Sequence, residues 1–189
     1  MSMTTKESTG ISGHGATLEA PEFPAGPFQP PTARDMQLVR AAIVTLEQQR
    51  ARVRAAVEGL TDQQLDTRYR NWTVRQIVHH IADSTVNYYV RWKLGMTETR
   101  PTVAPFDESL WAKLPDATRG DAALAVQLFD VTVTRLLMVI REMKDTDFDR
   151  TWFHPQYQRE FPMWYSIVMY AWHTDHHLAQ IAWVRANRV

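Results

Sequence analysis

The chain has 189 residues, 44% of them hydrophobic, with 21 basic residues balancing 21 acidic ones and no cysteine. That length suits one domain with a single substantial core, and zero net charge argues against a nucleic-acid partner held by bulk phosphate attraction. The missing thiols exclude disulfides, thiolate metal ligands and a cysteine nucleophile, so any sulfur chemistry must use a thiol brought by a substrate.

Residues 1–21 read as a disordered tail rich in Ser, Thr and Gly, ahead of one domain spanning 22–189. The start lacks the apolar stretch of a secretory signal, and no run approaches the ~18 apolar residues of a membrane span. A cytoplasmic protein without a membrane partner is expected. PEFPAGPFQPP then places five prolines in eleven residues, which excludes a helix. Phe23 and Phe28 are placed to pin that segment against the body.

Four helical patterns follow. The first runs from Asp35 to Leu60, with Leu38, Ala41, Ala42, Leu46, Val53, Val57 and Leu60 at helical spacing and Thr32 with Asp35 as a capping box. The second starts at Thr73, which forms a T-x-x-Q box with Gln76, and reaches Met96. The third spans Asp121–Lys144. The fourth spans Pro162–Ala186, with Pro162 in a first-turn position. The connection between the second and third carries Pro101, Pro105 and Pro115 and a short helical piece at Glu108–Lys113, the pattern of a lid or functional loop. Thr151–Phe153 and Arg159–Phe161 suit a small hairpin. Four long amphipathic helices imply an all-α four-helix bundle.

Five of the seven histidines fall in two clusters, His79–His80 and His173–His176–His177. At ~100° per residue, Val74, Ile77, Ile81, Thr85, Tyr88 and Trp92 form a stripe, with His80 on its border and His79 nearly opposite. On the fourth helix the stripe contains His173 and His177, which stack ~40° apart on one face, while His176 lies on the flank. An H-x-x-x-H pair with a third imidazole from a facing helix makes a metal site with open positions, the layout of a catalytic metal. Packing of three core histidines is the rival reading.

WTVRQ (72–76) followed by HHIADS (79–84), together with WHTDHH (172–177), resembles the DinB/YfiT-like superfamily. The resemblance is to its YfiT-type metal-dependent hydrolases, some of them described as bacillithiol S-transferases. FPAGPFQPP (23–31), LTDQQLDTRYR (60–70) and RWKLGMTETRPTVAPFDESLWAKLPD (91–116) extend it over nearly the whole chain from about residue 22. It implies an up-down-down-up bundle, commonly a homodimer, binding one divalent ion, nickel or zinc. By motif the ligands are His80, His173 and His177. The sequence departs from the pattern at Thr85, where close relatives often carry histidine, and at the 154–159 tip, HPQYQR.

Such a metal either lowers the pKa of a bound water, for amide or ester hydrolysis, or binds a substrate thiol as thiolate, for transfer to an electrophile. The expected partners are therefore a small thiol and an electrophile. A bundle that binds metal without turnover is a further alternative. Asp83 is a candidate to hydrogen-bond a ligand imidazole, or equally a residue of the helix flank. Asn87 and Gln180 are candidates to line the pocket, and Asp175 reads as a solvated residue. Arg91, Lys93 and Arg100 form a modest basic patch whose simpler reading is a solvated helix face, and the aromatic residues read mainly as core or dimer interface.

Overall fold

The computed structural model describes residues 18–189. The expected disordered tail falls mostly on residues 1–17, outside the described residues. Leu18–Pro21, its last stretch, lies against the body: Ala20 is buried, and the Pro21 and Ala20 carbonyls accept from Tyr69 and Arg70.

Helix α1 (Met36–Val57) is capped by Asp35, whose carboxylate accepts from the Gln37 and Leu38 amides. Asp35 supplies this cap alone, rather than in a box with Thr32. The buried face is Val39, Ala42, Leu46, Gln49 and Val53, while Leu38 is 45% exposed. The predicted stripe was shifted because Gln49, a polar residue, continues the true one. Its Nε2 donates inside to the Ala171 carbonyl at 2.7 Å and to Asp175 at 2.9 Å, while its buried Oε1 has no partner among the described residues.

A short α2 (Asp62–Leu65), unforeseen in the sequence, carries its own Thr61–Gln64 capping box. Helix α3 (Val74–Thr97) starts at Thr73 with the predicted box to Gln76. The long connection folds into α4 (Glu108–Trp111) and α5 (Pro115–Arg119), and α6 (Ala122–Arg141) begins at Asp121. After a 3₁₀ turn at Asp145–Asp149, β1 (Thr151–His154) pairs antiparallel with β2 (Arg159–Pro162), the predicted hairpin extended by one residue in each strand. Helix α7 (Met163–Asn187) follows directly, with Pro162 as its cap rather than inside its first turn.

Cross-links between helices fix their directions. Gln49 reaches Ala171 while Arg185 reaches the Ala56 carbonyl, so α1 and α7 run parallel. Arg141 bonds Glu47 while Arg50 bonds Asp130, so α6 is antiparallel to α1. His80 meets His173 while Thr85 meets Tyr170, so α3 is antiparallel to α7. The order is up-down-down-up. Helix α1 packs on α6 and α7, as does α3, leaving α1 and α3 on a diagonal. Trp92, Phe129, Leu46, Ile77, Ile81, Leu136 and Ile167 are fully buried between them. Among the described residues α6 is the one helix long and apolar enough to cross a membrane, and its Phe129, Val133 and Leu136 form bundle core.

Two local devices place the site. Buried Arg75 ties the start of α3 to Asp66, Asp62 and the Gly120 carbonyl, anchoring α2 and α5 beside it. Gly95 lets the hairpin approach α3: a Cβ there would lie 3.3 Å from Trp152 Cε3 and 3.4 Å from the Met163 sulfur. Arg150 fixes that approach by donating to the Gly95 and Glu98 carbonyls.

Candidate metal centre

Helix α3 supplies His80 and α7 supplies His173 and His177. Their donor nitrogens lie within 4.8 Å of one another. His173 Nε2 stands 3.2 Å from both His80 Nε2 and His177 Nε2, so three ring nitrogens face a common point. Gln180, one turn beyond His177, accepts from His177 Nδ1–H at 2.8 Å and donates to His176 at 2.9 Å. With its proton on Nδ1, His177 presents a bare Nε2 lone pair to the centre. Ser84 Oγ lies 3.3 Å from His80 Nε2.

Burial pushes all three imidazoles below their ordinary value of 6.5, His173 to about 3, and neighbouring rings add to the effect. They are therefore neutral near pH 7, the form that ligates metal. A neutral ring carries one N–H, and the proton on His177 is already spent on Gln180. One N–H on His173 cannot point at both neighbours, so these 3.2 Å contacts are not all satisfied as hydrogen bonds. A single cation accepts all three lone pairs. The donor set thus fits a divalent ion, and a three-imidazole set leaves positions open.

The triad forms part of the wall of a cavity of about 560 Å³. Trp72 covers it, 4.7 Å from the His80 ring and stacked on His177 at 6.3 Å. Phe106 from the long connection, Trp152 and His154 from the hairpin, and Tyr88 and Arg91 from α3 complete much of the wall. The aromatics expected as core are thus divided: Trp92 is core, while Trp72, Trp152 and Trp172 face the cavity.

Other candidates fall elsewhere. Asp83 makes no hydrogen bond to any of the three rings among the described residues; Ser84 and Gln180 do. Its carboxyl is half-buried and held up at about 6 by burial and by Asp116. Asn87 donates to the Asp83 carbonyl. Asp175 is partly exposed, as a solvated residue would be, and is also held by Gln49 and Arg52 from α1 at 2.9 and 2.6 Å. Of the basic patch Arg91 lines the cavity, whereas Arg100 pairs with Glu160 and Lys93 lies over Tyr89. His79 packs against Gly120, and His176 stacks on Trp172 beneath Phe23. The proline-rich segment is pinned as expected, with Phe28 between Tyr165 and Trp172 and the Trp172 indole donating to the Gly26 carbonyl. Gly26 has φ +81°, the left-handed turn that this contact needs.

Sequence comparison agrees with this geometry. The chain is 37% identical over 161 residues to YfiT of Bacillus subtilis, named a "putative metal-dependent hydrolase", covering 84% of this chain and 90% of that protein. A Geobacillus kaustophilus protein of the same description is 38% identical over 175 residues, covering 92% of this chain and 98% of its own length. The solved structure of YfiT from Bacillus subtilis, described as having an unusual four-helix bundle topology, superposes with a TM-score of 0.82 at 35% identity, over 87% of this chain and 95% of that one. A mycothiol-dependent maleylpyruvate isomerase shares the fold, with a TM-score of 0.61 at 14% identity, over 76% of this chain and 60% of its own. Residues 45–181 match the DinB superfamily, and with these relatives the chain belongs to that superfamily, among its YfiT-like members.

Proposed function

We propose that this chain is an enzyme that holds one divalent ion, nickel or zinc, on His80, His173 and His177 and transfers a low-molecular-weight, bacillithiol-like thiol to an electrophile. The observation that carries the reading is the convergence of three neutral imidazole nitrogens on the wall of a cavity of small-molecule size. A divalent ion there supplies Lewis acidity, favouring the thiolate of an incoming thiol and equally acidifying a water. Gln180 orients the His177 ring, and Trp72, Phe106 and Trp152 offer apolar walls to the carbon framework of a substrate. The transfer forms one C–S bond, breaks the bond to the leaving group and releases the thiol proton to solvent.

Two facts support transfer: the chain has no cysteine to compete for the site, and a fold neighbour is described as mycothiol-dependent. The relatives' names favour the second reading, hydrolysis of an amide or ester at the same triad. Protein reconstituted with zinc or nickel is to be assayed with monochlorobimane and a panel of thiols, beside a panel of amides and esters. Metal-dependent adduct formation supports transfer. Hydrolysis without any adduct replaces it with the second reading. One bound ion without turnover would leave a metal-binding bundle, and no bound ion would reduce the triad to packing. We carry a homodimer into this reading; light scattering that returns the mass of one 21.9 kDa chain would remove it.

A further inference from the structure

The cavity has a second polar wall, away from the three histidines in sequence and unused by the chemistry above. Arg91 projects from α3 with Tyr88 one turn before it, and the hairpin brings His154 and Arg159 to the same cavity. The Arg91 guanidinium makes one hydrogen bond, Nη2 to the Ala104 carbonyl at 3.1 Å, and no ion pair among the described residues. Arg159, exposed at the cavity rim, is likewise without a carboxylate among the described residues and rests over the Phe161 and Tyr165 rings at 4.4 and 5.2 Å. Three neighbouring buried atoms, Arg91 Nε, Tyr88 Oη and His154 Nδ1, have no hydrogen-bond partner among the described residues, and Tyr88 and His154 are only 4% and 5% exposed.

Groups so buried are normally paired, because each unpaired one forfeits its hydration without return. The charge balance is as one-sided as the hydrogen bonding. Burial lowers the Arg91 pKa, and no carboxylate raises it; Arg91 in turn helps to lower that of His154. The one carboxylate among the lining residues, Glu108, is exposed and pairs with neither arginine. The Arg91 guanidinium therefore brings a positive charge with no paired carboxylate to a partly enclosed, aromatic-walled space.

We infer that Arg91, supported by Tyr88, His154 and Arg159, forms a subsite for a carboxylate of the substrate, so that the molecule entering this cavity is an anion. The inference rests on the cavity's being the substrate site of the proposed function and specifies the class of that substrate. A planar guanidinium suits a carboxylate, and charge-assisted hydrogen bonds are the strong ones.

The test uses the full chain and matched probes that differ in charge alone: 3-mercaptopropionate and 6-mercaptohexanoate, each against its neutral amide. Binding is read from the fluorescence of the cavity tryptophans, on metal-free and zinc-loaded protein at low salt. The wild type should bind at least one acid about tenfold more tightly than its amide, with and without zinc. Arg91→Met should bring that ratio near one, leave amide binding and zinc stoichiometry unchanged, and Arg91→Lys should restore part of the preference. Equal binding of acid and amide by the wild type overturns the inference even if no variant folds. So does an acid preference that survives Arg91→Met. A chain that fails to load zinc while preferring the acid removes the metal reading and leaves the subsite standing.

Discussion

Replacing Gln180 with leucine removes the acceptor on His177 Nδ1 while keeping the side chain's approximate shape and leaving all three ligand rings in place. In the structure that 2.8 Å bond keeps the proton on Nδ1 and the lone pair of Nε2 directed at His173. Without it His177 samples the other tautomer, whose Nε2–H blocks coordination, and loses the support that increases its basicity. A hydrogen bond to a ring carrying metal charge contributes about 1.5–3 kcal/mol, and loss of such outer partners lowers metal affinity about 10- to 100-fold. Zinc dissociation constants are to be measured by competition with a chromogenic chelator at pH near 7. Gln180→Leu should weaken binding within that range, and Gln180→Glu, which keeps an acceptor and adds charge, should not. A Gln180→Leu constant within about twofold of wild type would show that the contact does not set the His177 tautomer.

Other consequences follow from the same geometry. His177→Ala should lower bound zinc from one per chain to near zero by mass spectrometry, while Ser84→Ala, which touches His80 at 3.3 Å, should retain it. Metal-free protein should lose stability on acidification. The triad histidines are held below 6.5, so the unfolded chain takes up protons that the folded chain excludes, and stability present above that pH is lost as pH falls from 6.5 towards the folded values. Asp83, held up at about 6, acts in the opposite sense and offsets part of this. The Tm of metal-free protein should therefore be lower at about pH 5.5 than at about pH 7.5; a flat metal-free Tm over that interval would contradict it. Phe28→Ala should cost about 1–2 kcal/mol and some 2–8 °C, read by circular dichroism, because Tyr165 and Trp172 lose the ring between them.

Local rules carried the sequence reading where the structure is local. Thr73 and Gln76 announced the start of α3, and the four-residue spacing of His173 and His177 put both on one face because helical geometry alone decides it. His80 was reached the same way, as a border residue of an apolar stripe. The misses are non-local. Gln49 broke the stripe of α1 by being polar, yet the fold buries it against α7, more than a hundred residues away in sequence. The partners of Asp175 were out of reach for the same reason, Gln49 and Arg52 being on another helix. His154 joins the cavity because a hairpin folds back onto Gly95, a contact that no helical period encodes. Gln180 was legible in part: three residues after His177, it sits where a side chain on the same helix meets a ring nitrogen.

The separation of the ligands along the chain orders events in time. His80 and His173 are 93 residues apart and belong to the second and last of the four long helices. During synthesis from the N-terminus, a growing chain displays one of the three imidazoles while three helices are already made, and a single imidazole holds a metal weakly. The complete donor set appears only when α7 is released and docks between α1 and α3. A divalent ion held by all three imidazoles would therefore bind only after α7 has docked, too late to template the helices made before it.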